Sequence, residues 1–104
     1  MPKFILDPVA ENEIWDIWLY IAHDNPEAAN RVMLAAYETF QLIADSPNIG
    51  KKRHFRRRQV KDLRSWHVSG FGRYQIFYRT IPGGIQVVHV CHSARDIEAL
   101  FSKA

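Results

Sequence analysis

One cysteine, Cys91, is all that this 104-residue chain contains. That scarcity excludes an internal disulfide framework and fits a reducing compartment, the cytoplasm being the simplest expectation. Long apolar runs are missing as well. No window of about 18 consecutive apolar residues exists, and the apolar start Phe4-Ile5-Leu6 breaks off at Asp7-Pro8, so neither a membrane span nor a secretory signal is expected. There is no glycine-rich loop followed by Lys-Ser or Lys-Thr, hence no phosphate cradle of the P-loop type. Internal repeats, linkers and low-complexity tracts are also lacking. With 47% hydrophobic and 24% charged residues, what remains is one α+β domain over residues 1–104.

The clearest element lies between Tyr74 and Cys91. Two runs rich in Ile, Val, Phe and Tyr, Tyr74 to Thr80 and Ile85 to Cys91, flank Ile81-Pro82-Gly83-Gly84. This predicts two antiparallel central strands joined by a turn that can adopt positive φ. Ile76-Phe77-Tyr78 and Val87-Val88 are apolar at consecutive positions, so both sheet faces are expected to be covered, one of them by helices. Upstream, Lys3 to Leu6 reads as a short strand. Asp7-Pro8 supplies an N-cap and an N1 proline for a helix from Val9 to about His23, whose apolar stripe is Ile14, Trp15, Trp18, Leu19, Ile21 and Ala22. Asn25-Pro26 caps and opens a second helix to about Ala44, burying Ala29, Val32, Met33, Ala36, Phe40 and Ile43. The tight link makes the two an antiparallel helical hairpin. Leu63 to Val68 is a third strand candidate, turned into the central pair by Ser69-Gly70-Phe71-Gly72. Ser93 and Asp96 have capping-box spacing for a last helix, Ala94 to about Lys103, with Ile97, Leu100 and Phe101 on its apolar face. The expected fold is a small antiparallel β-sheet packed against an N-terminal α-helical hairpin, in the order β-α-α-β-β-β-α.

Charge is distributed unevenly. Eight of the fourteen basic residues lie between Lys51 and Arg64 (Lys51, Lys52, Arg53, Arg56, Arg57, Arg58, Lys61 and Arg64) against one acid, Asp62, a local charge of +7. The rest of the chain has six basic and ten acidic residues. A field of this kind steers polyanions toward it, nucleic acid or an acidic protein segment, and is screened by salt. No apolar periodicity appears before Val60, so Lys51 to Gln59 reads as an exposed loop or frayed turn. A run like this is otherwise a solvated loop and nothing more. Six Lys or Arg within the eight residues 51–58 repel one another, which favours a binding role, and Phe55 inside the run, with Trp66 and His67 beyond it, can stack on a base or dock on a partner.

Other groups weigh less. His89-Val90-Cys91-His92 resembles metal-ligand material, but strand alternation sends His89 and Cys91 to one face and His92 to the other, so no metal or other cofactor is expected. Cys91 reads as a small core residue. Glu11 and Glu13, two apart on a helix, face different ways and read as solvated surface. Arg79 in an apolar strand and Arg95 in the first turn of a helix each call for an anionic partner such as Asp96, Asp62 or a ligand.

Several blocks in order, Asp24-Asn25-Pro26-Glu27-Ala28-Ala29, Ser46-Pro47-Asn48-Ile49-Gly50, Leu63-Arg64, Ile76-Phe77-Tyr78-Arg79 and His92-Ser93-Ala94-Arg95-Asp96, together resemble the RelE/ParE superfamily of toxins from bacterial type II toxin-antitoxin modules. The resemblance covers nearly the whole chain. It implies the sheet-plus-hairpin fold and neutralisation by a cognate antitoxin whose C-terminal segment wraps over the toxin. The exposed edge beside the apolar groove and the +7 segment add the expectation that this segment is acidic and amphipathic, packing apolar residues on the helical hairpin and setting carboxylates near Arg56, Arg57, Arg58 and Arg64. RelE-like members are ribosome-dependent mRNA endonucleases; ParE-like members poison DNA gyrase without a hydrolytic site. The nucleases often read Arg-Leu-Val-Tyr on the strand before the hairpin turn, where this chain has Gln75-Ile76-Phe77-Tyr78. The ending His92-Ser93-Ala94-Arg95-Asp96 is similar to the ParE branch. The expectation is a ParE-like toxin, with Lys51, Lys52, Arg53, Arg56, Arg57, Arg58, Lys61 and Arg64 meeting target or antitoxin. A nuclease would draw on Arg64, Arg79, His92 and Arg95, with His67 as a further candidate; an inactive antitoxin-binding module is the third reading.

Overall fold

A computed structural model describes residues 2–53 and 62–92. Seven elements follow one another: β1 (Lys3–Leu6), α1 (Pro8–Asp24), α2 (Pro26–Asp45), β2 (Lys51–Lys52), β3 (Arg64–Val68), β4 (Phe71–Ile81) and β5 (Gly84–His92). They form one sheet in the order β1-β5-β4-β3-β2 with the two helices packed on one face. The α+β class and the N-terminal helical hairpin are those the sequence predicts. The predicted last helix, with Arg95, lies outside the described residues, as do Phe55, Arg56, Arg57, Arg58 and Lys61.

Helix boundaries follow from local chemistry. Pro8 opens α1, since the missing proline N–H would have no intrahelical acceptor there anyway. Asp7 holds the N-cap position but makes no side-chain cap; its carboxylate instead accepts from Gln86 Nε2 at 2.5 Å. Asn25 serves both helices. Its backbone N–H closes α1 on the Ile21 carbonyl at 2.9 Å, and its Oδ1 accepts the Ala28 N–H at 3.1 Å to cap α2.

Two features of the sheet depart from expectation. β1 joins parallel to β5, with Phe4 opposite Ile85 and Leu6 opposite Val87, so the sheet is mixed and only its other pairings are antiparallel. The α1–α2 excursion makes this possible, because it carries the chain from β1 over the sheet and back to the far edge. Gly84 makes it close, since a Cβ there would collide with the Lys3 carbonyl. The second departure is β2: Lys51 pairs with Ser65 and Lys52 with Arg64, and the Arg53 N–H donates to the Leu63 carbonyl at 2.8 Å. These first residues of the basic run are therefore strand rather than loop. An edge strand needs backbone partners but no apolar side chains, and lysines there discourage further strand addition.

The β4–β5 hairpin turns through Pro82-Gly83, Gly83 supplying φ +82°. Between β3 and β4 the turn is only Ser69-Gly70, shorter than predicted, because Phe71 already pairs with Val68. A bulge at Val88 shifts the register, so that Tyr78 faces Val87 while Phe77 faces His89. Val90 thereby joins Ile85 and Val87 against the helices, while His89 and Cys91 go to the other face, separated from His92 as alternation requires. Phe40, Ile43, Ile76, Tyr78, Ile85 and Val87 are fully buried in this core. Each contributes on the order of 1.5–3 kcal/mol by leaving water. The predicted α1 stripe divides: Ile14 is buried, whereas Trp15 is 55% and Leu19 47% exposed.

Candidate functional site

The basic edge of the sheet is held by a buried tyrosine. Tyr78 on β4 directs its phenol toward the turn between α2 and β2, where Oη donates to the Pro47 carbonyl at 2.7 Å and accepts the Gly50 N–H at 2.9 Å. Arg64, opposite Tyr78 in the register, donates from Nη1 to the Gly50 carbonyl at 2.8 Å and to the Asn48 carbonyl at 3.4 Å. Burial pushes the Tyr78 phenol above its ordinary value, against a smaller downward pull from the Gly50 hydrogen bond and the Arg64 charge. The phenol therefore stays a neutral donor. A Cβ on Gly50 would stand 2.5 Å from Tyr78 Oη, so glycine is what lets the turn approach the phenol.

On this frame the predicted cations take different places. Lys51 and Lys52 are exposed on β2. Arg53 is half-buried, with its guanidinium 5.7 Å from the centroid of the Phe77 ring and Nη1 3.5 Å from Ser65 Oγ. Arg64 is occupied with the Gly50 and Asn48 carbonyls, so it orders the turn as well as adding charge. Lys51, Lys52, Arg53 and Arg64 are thus brought to one edge of the sheet, immediately before and after residues 54–61.

The candidate nuclease residues are spread out. Arg79 pairs with Gln86 and His92 with Tyr74, five rungs apart along β4, roughly 17 Å at strand rise. Arg79 shares the Phe77 face, whereas His92 sits on the helix side with its ring 5.8 Å from Tyr74. His67 is exposed on β3, its ring 4.8 Å from that of Trp66. Among the described residues these side chains do not converge on one point, and no group of three or more His, Cys, Asp or Glu is placed to hold a metal ion.

Glu13 corrects the sequence reading. It is not solvated surface: beyond Leu6, where β1 ends, its carboxylate takes over the open edge of β5, accepting the Val90 N–H at 3.0 Å and His89 Nδ1 at 3.1 Å. A carboxylate accepts only, so Nδ1 carries the proton. Nothing in the sequence marks this role, because it depends on a four-residue strand lying beside a nine-residue one.

The fold agrees with the comparison to known families. Residues 4–97 match the family model of the ParE toxin of type II toxin-antitoxin systems, parDE. This chain belongs to the ParE toxin family. A search of curated proteins gave no match. A ParE-family toxin of a type II system has an antitoxin as its partner. The helices α1 and α2 carry seven carboxylates (Glu11, Glu13, Asp16, Asp24, Glu27, Glu38 and Asp45) and one cation, Arg31, a net −6. Residues 46–92 carry ten cations and one acid, a net +9. Among the described residues no helix is long and apolar enough to cross a membrane.

Proposed function

We propose that this ParE-family chain inhibits DNA gyrase by docking, with the basic edge of its sheet as the contact, in a plasmid-stabilising module, and that a cognate antitoxin with an acidic segment neutralises it in the cytoplasm by covering that edge. The observation that supports this most is the clamp of Tyr78 and Arg64 on Gly50, which orders the start of the basic run at the sheet edge. Docking needs an ordered charged surface. A metal-free ribonuclease needs an acid, a base and a cation around one phosphate, each contributing on the order of 10²-fold or more, and Arg79 and His92 lie on opposite faces.

The test is induction of the chain alone and then with its antitoxin. Growth should stop and recover, DNA breaks should accumulate before translation falls, and replacing Arg56, Arg57 and Arg58 together should abolish toxicity while His92→Gln leaves it intact. Rapid ribosome-dependent cleavage of a reporter mRNA, lost in His92→Gln or Arg79→Ala, would overturn this in favour of a RelE-like endonuclease. Normal growth with soluble protein present would leave an inactive antitoxin-binding module.

A further inference from the structure

The outer face of the helical hairpin carries an apolar ridge that the core does not use. Trp15 and Trp18 stack with ring centroids 5.2 Å apart and planes within 4° of each other. Trp18 Nε1 donates across to Asn30 Oδ1 on α2 at 2.9 Å. Leu34 follows Asn30 by one turn and so shares its side of α2, and Leu19 stands in the same relation to Trp15. Leu34 is 64% exposed. Singly exposed apolar residues are ordinary, but a ridge fixed by stacking and a hydrogen bond across two helices is an interaction surface.

Charge selects the occupant. Glu11 lies one turn before Trp15, Glu38 one turn after Leu34, and Asp16 beside Trp15, against one cation, Arg31, about a turn before Leu34, all exposed, so the rim of the ridge is net acidic. Two copies meeting through this ridge, or an acidic segment laid on it, would set carboxylate against carboxylate, and like-charge juxtaposition costs several kcal/mol. A cationic segment gains on both counts, because indole faces also attract ammonium and guanidinium groups. We infer that the Trp15–Trp18–Leu19–Leu34 ridge is a docking surface for an amphipathic helix of a protein partner whose apolar face is edged with Lys and Arg. It is separate from the basic sheet edge and independent of what docks there.

The test uses a Leu/Lys amphipathic helical peptide of about four turns and its Leu/Glu counterpart, titrated into the full-length toxin by calorimetry and indole emission. The Leu/Lys peptide should bind one to one, and the Leu/Glu peptide at least ~10-fold more weakly, about 1.4 kcal/mol. Trp15→Ser with Leu34→Asn, which leaves the charge unchanged, should weaken the Leu/Lys peptide by ~10-fold or more. Trp66→Phe and the triple replacement of Arg56, Arg57 and Arg58 should not weaken it, and the latter separates this proposal from the gyrase reading. Equal affinity for the two peptides, or indifference to Trp15→Ser with Leu34→Asn, would overturn the inference. So would a concentration-dependent oligomer dispersed by that double replacement, which would put a second copy on the ridge.

Discussion

Replacing Tyr78 with Phe removes one oxygen and tests the clamp directly. The ring still fills its place in the core, but the Gly50 N–H, at a buried residue, loses its acceptor and the Pro47 carbonyl its donor. A buried polar group left unpaired costs about 1–3 kcal/mol. With the carbonyl partly able to find water, about 2 kcal/mol is the expected loss, a large share of the 5–15 kcal/mol typical of a domain. For a chain of this size each kcal/mol is worth roughly 4–8 °C. Urea unfolding should show a lower midpoint at unchanged slope, meaning lost stability without a changed unfolded state. pH supplies a second signature. Burial raises the phenol pKa above 10.0 in the folded chain, so above pH 10 the unfolded state releases this proton first. Stability contributed by the neutral phenol is therefore complete below that pH and falls as the pH climbs toward the folded value. Tyr78→Phe should lack this part of the alkaline decline. A midpoint shift equivalent to less than ~0.5 kcal/mol, the scale of an ordinary surface substitution, would refute the reasoning and reduce the clamp to a bystander.

Glu13→Ala should cost about 1–3 kcal/mol by stranding the Val90 N–H, with faster hydrogen exchange at that amide; Glu13→Gln, which keeps an acceptor, should lose less. Asn25→Ala removes the α2 cap and should lower thermal stability by about 1 kcal/mol, read by calorimetry. Association of the antitoxin should slow markedly between low and physiological salt while dissociation changes less, and a salt-independent on-rate in stopped flow would show that the basic edge does not face it.

Local signals made much of the architecture legible. Asp7-Pro8 and Asn25-Pro26 mark the helix starts through the chemistry of proline and Asn, and Pro82-Gly83 marks the hairpin, because each device acts within four residues of itself. What escaped the sequence depends on partners far along the chain. The parallel seat of β1 on β5 rests on Gly84 making room for Lys3, and Lys51-Lys52 becomes a strand only because Ser65 and Arg64 lie beside it. Periodicity also overstated the α1 core: Trp15 and Leu19 fit the helical stripe, yet the face they share lies beyond the sheet's reach. The site was half legible. The basic run is visible as composition, but Tyr78 reads as another apolar strand residue, and its phenol gains meaning only when the Pro47–Gly50 turn is set against it.

A net charge of +3 conceals the property that governs partner choice. Among the described residues the charges are sorted by layer, −6 on the helical hairpin against six cations and one acid, +5, in 46–53 and 62–92, so neither layer can meet its own copy without repulsion. Head-to-tail stacking of one copy's sheet on another's helices is complementary in sign, but it is heterologous and does not close, leading toward open chains. Closed association therefore calls for a partner that presents anions to the sheet edge and, where it reaches the helices, cations beside apolar side chains. A wholly acidic segment satisfies the first surface and is repelled by the second. Such a partner, extended along the basic edge, would stop short of the Trp15–Trp18 ridge, and the ridge would remain open to a second, cationic helix while the toxin is neutralised.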